Sequence, residues 1–247
     1  MTDQVWTDVR NIIEASIINA PRTLQTRIGP SELGNPCDRC LAHKLAGTPE
    51  RPEAAWLPFI GTSVHEKLEG IFLGHEFTRA NLGMPGRWLP EHQVTVGTVN
   101  GTQITGNTDL FDTQTGTVID FKCVGTTTIK KAKAHGASLV YSRQAQLYAK
   151  GWADDGYTVN TTTILYLPRN SVSLADTYVW SAPYDRQNAL DTLARANDIA
   201  DAIDDRGLDQ VLASMPEHTF DEFSCKRFAT PNPTTDTTSA APFGALV

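Results

Sequence analysis

The chain has 247 residues, 40% of them hydrophobic, which is enough to bury a substantial core in one generous domain or in a domain with an added helical part. No stretch has the apolar length of a membrane span, and the N-terminus lacks the basic-then-apolar pattern of a signal peptide, so a soluble, cytoplasmic protein is expected. The net charge of -7 argues against an indiscriminate nucleic-acid binder, and four cysteines, at 37, 40, 123 and 225, are too few for a disulfide scaffold at this length.

In chain order, residues 3–20 place Val5, Val9, Ile12, Ile13 and Ile17 at helical spacing, and Pro21 ends the pattern, which predicts a packing helix. Residues 29–37 read as a turn, with Asn35 as cap and Pro36 as first residue of a short helix running to about Ala46. A proline-rich loop over residues 47–58 leads to a helix opening at Gly61, on which His65 and Glu69 lie one turn apart. Three strands follow, at about 91–99, 103–112 and 117–124. Asn100-Gly101 is a strong hairpin pair between the first two, and Thr115-Gly116 reads as a tight turn between the others. A helix over about 137–154 offers Leu139, Val140, Leu147 and Trp152 to the core, and residues 161–167 return to strand. Residues 177–180 add an edge strand, and 184–205 form an acidic amphipathic helix carrying Leu190, Leu193 and Ile203. Residues 229–247, rich in Thr, Pro, Ala and Ser, read as a disordered tail. This order predicts an α+β (mixed α/β) fold. There is no phosphate-binding loop and no dinucleotide fingerprint, so nothing suggests an ATP-driven motor.

The chemistry concentrates in residues 106–122. Strand alternation puts Val118, Asp120 and Lys122 on one face of the third strand and Ile119, Phe121 and Cys123 on the other, which reads as a chemical face and an apolar core face. An Asp and a Lys two apart on an otherwise apolar strand are costly to bury without partners; a divalent cation and a phosphate would supply them. Asp109, on the preceding strand, adds a second carboxylate. Phosphodiester hydrolysis needs an acidified water and a sink for negative charge, and carboxylate-held Mg²⁺ or Mn²⁺ supplies both. Lys122 would orient the attacking water and shield developing charge.

Gly61-Thr62-Ser63-Val64-His65, Asp109, Asp120-Phe121-Lys122 and Gln144-Ala145-Gln146-Leu147-Tyr148, in this order and at these distances, resemble the motifs of the PD-(D/E)XK nuclease superfamily. They are most similar to its RecB-like exonuclease branch, which includes CRISPR-associated and phage recombination exonucleases. The resemblance implies a restriction-endonuclease-like core, a central mixed sheet flanked by helices, with added N- and C-terminal helices. It implies one nuclease domain over residues 1–228: an N-terminal helical part (1–60), a catalytic core (61–168), a C-terminal strand and helix (169–228), then the tail. His65, Asp109, Asp120 and the Phe121 carbonyl would hold Mg²⁺ or Mn²⁺; Lys122, Gln144 and Tyr148 would complete the catalytic set. Thr108 stands where the family usually has proline. Some members hold an iron-sulfur cluster through one early and three late cysteines. Here Cys37 and Cys40 form a Cys-x-x-Cys pair and only Cys225 is late, so zinc or an iron-sulfur cluster on these three competes with plain buried thiols.

Residues 121–153 contain no acid, and Lys130, Lys131, Lys133 and Arg143 read either as phosphate contacts or as a solvated face. The expected activity is a metal-dependent DNA exonuclease of recombination, repair or replication, from a phage or bacterium and working in the bacterial cytoplasm. DNA is the expected partner, with a recombination or single-strand annealing protein as a second. A structure- or sequence-specific endonuclease on the same core and a noncatalytic DNA-binding subunit are the rival readings.

Overall fold

Asn100 and Gly101 both take positive φ, 46° and 71°, the backbone that a two-residue type I′ turn demands. Around that turn the computed structural model, which describes residues 3–20, 28–49 and 55–216, pairs β1 (Trp88–Val99) with β2 (Thr102–Asp112). The tail at 229–247 and Cys225 lie outside the described residues. β2 turns back into β3 (Thr117–Val124), which pairs with β4 (Thr161–Pro168), and β5 (Tyr178–Pro183) closes a five-stranded sheet in sequential order. All neighbours are antiparallel except β3 and β4, which are parallel. A parallel pair cannot be joined by a hairpin and needs a crossover, here α5 (Thr126–His135) and α6 (Leu139–Asp154). The fold is thus the expected mixed sheet flanked by helices.

The β2–β3 connection is a four-residue loop, not a tight turn at Thr115-Gly116. The Asp112 carboxylate organises it, accepting from Gln114 N at 3.0 Å and Thr115 Oγ1 at 2.9 Å, while Arg87 grips the same carboxylate through Nε and Nη2. Burial would raise the Asp112 pKa, but the hydrogen bonds from Arg87, Thr115 and Gln114 outweigh it and hold the group below its ordinary value.

α6 lies across one face of the sheet with α7 (Arg186–Arg206) beside it, and α2 (Pro30–Leu33) and α3 (Asp38–Leu45) fill the same side. Trp152 of α6 is fully buried, stacks on Phe111 with centroids 4.4 Å apart, and donates its indole N–H to Thr108 Oγ1 at 3.1 Å. Thr108 in turn donates to His92 O, so a side-chain hydroxyl here ties helix to sheet, which a proline could not do. On the opposite face α4 (Trp56–Asn81) packs against β1 and β3, with Phe72 stacked on Phe121.

Several expectations are corrected. The helix with His65 starts at Trp56, because Pro58 falls within its first turn, where the missing N–H costs nothing. The short third helix starts at Asp38, with Cys37 as N-cap; Asn35 instead accepts from Cys37 N in a turn one step earlier, and residues 30–33 form their own helical turn. α1 (Asp3–Ile18) does not pack along its apolar stripe: of these five residues Val5, Val9, Ile12 and Ile13 are exposed and only Ile17 is buried. Leu139 and Leu190 are exposed, and the buried stripe of α7 is built mainly from small residues, Ala189, Thr192, Ala196 and Ala200, with Leu193 and Ile199. The two faces of β3 are not one chemical and one apolar: Val118, on the Asp120 side, belongs to the largest core cluster, and Cys123 is only half-buried. α5 and α8 (Leu208–Ser214) were not expected as helices. No helix among the described residues is long and apolar enough to cross a membrane.

Trp152→Ala should cost about 3–5 kcal/mol of stability, whereas Ile12→Ala on the exposed face of α1 should change it by less than about 0.5 kcal/mol. Urea midpoints of the two variants check both.

Candidate active site

Register decides which side chains meet. Pairing between β2 and β3 runs from Asp112↔Thr117 to Leu110↔Ile119 and stops there, so the strands part at the next pair, Asp109 and Asp120. In the gap the Asp109 carboxylate takes over part of the ladder, with Oδ2 accepting from Phe121 N at 2.5 Å. Its other oxygen lies 3.0 Å from His65 Nδ1, which reaches it from α4. The Phe121 ring, pointing away from Asp120, fixes α4 in place by stacking on Phe72 and meeting His65 edge-on.

A third acid joins them. Glu91 sits in β1 between Pro90, paired with Leu110, and His92, paired with Thr108, and so stands directly across from Asp109. Its φ of 45° is a left-handed conformation that a non-glycine residue rarely adopts in a strand. Ligand atoms of His65, Glu91 and Asp109 all lie within 4.8 Å of one another. Two carboxylates opposed across a ladder repel unless a cation lies between them.

Glu91 is absent from the sequence-derived set, and the reason is geometric. Counting back from the Asn100-Gly101 turn in unbroken register puts His92 opposite Asp109; the bulge between Thr95 and Gly97 slips β1 by one residue and brings Glu91 there instead. Gly97, the glycine in that bulge, is a signal that could have been read, since glycine within a strand often marks one.

Asp120 is 2% exposed, and Lys122 Nζ lies 2.7 Å from its Oδ2. That contact is an ion pair without hydrogen-bond alignment, so Oδ2 is buried with no aligned donor. Lys122 is held from the other side: Nζ donates to Gln144 Oε1 at 3.1 Å, Gln144 Nε2 donates to Tyr148 Oη at 3.2 Å, and the ammonium lies 4.8 Å from the Tyr141 ring centroid. Gln146, two residues on, serves the β5–α7 junction instead, donating to Pro183 O and accepting from Asp185 N. Tyr148 also meets Gly106, where an added Cβ would come within 2.8 Å of the ring.

Burial pushes the Asp120 carboxyl up to about 6, with Lys122 only partly offsetting it and Asp109 adding to it. Burial would lower the Lys122 pKa, but Asp120 and Asp109 outweigh it and keep it above its ordinary value. Burial likewise works against a charged His65, and the hydrogen bond and charge of Asp109 overcome it and raise the pKa. Asp120 and Asp109 therefore act on the one lysine, and Glu91 and Asp109 lie with His65 in a group of hard oxygens and one imidazole that fits a divalent cation.

The remaining sequence candidates are dispersed. Lys130, Lys131 and Lys133 are exposed on α5, which packs on β4 and β5. Arg143 is half-buried on α6, and its electrostatic neighbours are Arg195 and Asp38 rather than those lysines. Cys37 and Cys40 are buried and in mutual contact.

No protein-family model matches the chain, and no curated protein sequence matches it. Among solved structures, it is similar to SSO0001 (14% identity, TM-score 0.47, covering 76% of this chain and 84% of that one). It is also similar to the alkaline exonuclease LHK-Exo of Laribacter hongkongensis in complex with dAMP (13% identity, TM-score 0.45, 82% and 95% covered). A third is a phage-related exonuclease of Haemophilus somnus 129PT (15% identity, TM-score 0.44, 82% and 94% covered).

Because the folded-state pKa values of Asp120 and His65 are both raised, their contributions to stability are fully present below the unfolded values and are lost as pH rises through the folded ones. With a metal chelator present, the urea midpoint should fall as pH rises from about 4 to above 7, and Asp120→Asn should flatten the part of that slope below about pH 6, leaving the part near neutrality to His65.

Proposed function

We propose that this chain is a metal-dependent deoxyribonuclease, a DNA exonuclease acting in recombination, repair or replication, with Mg²⁺ or Mn²⁺ as cofactor. The observation that carries this reading is the buried Asp120–Lys122 pair beside the His65–Glu91–Asp109 group, a concentration of charge that a fold tolerates only with a cation to balance it. His65, Glu91, Asp109 and Asp120 would hold the ion, together with the Phe121 carbonyl implied by the family resemblance. A bound divalent ion supplies acidity to a coordinated water and a sink for charge on the phosphate. Lys122, kept protonated by its acidic neighbours, would donate a hydrogen bond to the attacking water or to a phosphate oxygen and stabilise the charge that develops there. Gln144 and Tyr148 would fix the ammonium, so that little reorganisation is needed when charge appears.

Lys130, Lys131 and Lys133 would grip the DNA backbone from α5, which leaves the sheet directly after β3. Residues 1–228 would work as one nuclease domain in the bacterial cytoplasm, with an annealing or recombination protein receiving the strand exposed by digestion.

The test incubates end-labelled linear and covalently closed circular DNA with purified protein and Mn²⁺. Linear DNA should be consumed and circular DNA should survive; cleavage of the circle would mean an endonuclease, and retention without digestion a binding subunit. Asp120→Ala and Lys122→Ala should each lower digestion by about 100-fold or more with far-UV circular dichroism unchanged. Glu91→Gln should weaken the Mn²⁺-induced rise in melting temperature, a readout independent of turnover.

A further inference from the structure

We propose that Arg143 on α6 and Arg195 on α7 form a phosphate-binding site separate from the metal centre and from the α5 lysines, and that it takes a backbone phosphate of the DNA. The DNA half of this proposal rests on the nuclease reading; the phosphate half does not.

Helix packing brings the two arginines together. α7 packs against both α6 and α3, and α2 packs against α6. The turn after α2 lies so close to the start of α6 that a Cβ on Gly34 would come within 2.6 Å of Val140 O, a contact with main chain that only a glycine fits. This draws the first residue of α3, Asp38, toward Arg143, three residues along α6 from Val140.

The charges there do not balance. The charged neighbours of Arg143 are Arg195 and Asp38, so two guanidiniums share one carboxylate. Arg195 takes it, with Nε and Nη2 each 2.6 Å from Asp38 Oδ1, while its Nη1 donates to Leu33 O at 3.4 Å. Arg143 Nη1 is left buried with no acceptor, and Arg195 Nη2 is buried without an aligned one. Burial, and after it the charge of Arg195, push the Arg143 pKa below its ordinary value against the pull of Asp38. A buried N–H without an acceptor is costly, and more so on a charged group.

What the pair lacks is one negative charge carried on several oxygens. A phosphodiester supplies that charge, and planar guanidiniums match phosphate oxygens with paired N–H groups. Both side chains are half-buried rather than enclosed, so a ligand can reach them from solvent. Arg143 also directly precedes Gln144, whose side chain holds Lys122, so a strand at the metal centre would pass beside the arginines.

The experiment first compares melting temperatures in phosphate and in chloride at equal ionic strength, with chelator present. Wild type and Lys122→Ala should both melt higher in phosphate. Arg143→Met keeps a packed stem and removes the unpaired charge, so it should melt no lower than wild type in chloride and gain nothing from phosphate. It should keep the Mn²⁺-induced rise in melting temperature when the chelator is omitted. The second arm follows binding of a labelled oligonucleotide by fluorescence anisotropy, again in chelator. Arg143→Met should reduce the slope of log affinity against log salt by about 1. A wild type that gains nothing from phosphate, a variant that gains as much as wild type, a variant that melts well below wild type in chloride, or an unchanged salt slope would each overturn the proposal. A phosphate gain lost in Arg143→Met, with no DNA binding by wild type, would leave an anion site and overturn the DNA half together with the nuclease reading.

Discussion

The structure depends most on the burial of one carboxylate and one ammonium, Asp120 and Lys122, on a strand whose other residues are mostly apolar. Taking two charges out of water costs several kcal/mol per ion, and the 2.7 Å contact between them recovers only part of it. The surroundings supply the rest. Gln144 and Tyr148 hold the lysine, the Tyr141 ring lies beside it, and His65 and Asp109 stand close enough to shift the titration of Asp120. A carboxyl displaced to about 6 by burial is a group kept ready for a cation, at some expense to the stability of the protein without one.

The topology serves that pair. Because β3 and β4 are parallel, the chain must cross over the sheet, and the crossover helix α6 passes over the strand that carries Asp120. Trp152, bonded to Thr108, locks this helix to β2 two turns beyond Gln144, so the polar line from Tyr148 to Lys122 is held by a packed core. On the other face Phe121 and Phe72 hold α4 at the height where His65 meets Asp109. The parting of β2 from β3 leaves main-chain groups open, and the Asp109 carboxylate occupies one of them.

Glu91 illustrates how such sites store strain. A left-handed non-glycine residue inside a strand costs on the order of 1–3 kcal/mol and persists only where its surroundings hold it. Here the bulge near Gly97 and the pairing of its two neighbours do so. The result turns a cross-strand neighbour of Asp109 into part of one acidic group.

What could be read from the residues alone was local. Asn100-Gly101 dictates a turn, alternation places Asp120 and Lys122 on one side of β3, and helical spacing sets Gln144 one turn from Tyr148, because each follows from backbone periodicity over a few residues. The mixed α/β class followed from the order of such elements. The long-range outcomes belong to the tertiary structure. A single-residue bulge decides which acid faces Asp109, and the apolar stripe of α1, read locally as a packing face, stays exposed. Burial of Asp120 on β3 displaces its pKa, which the strand pattern alone could not give. Register and burial are sums over contacts distant in the chain, and no local pattern contains them.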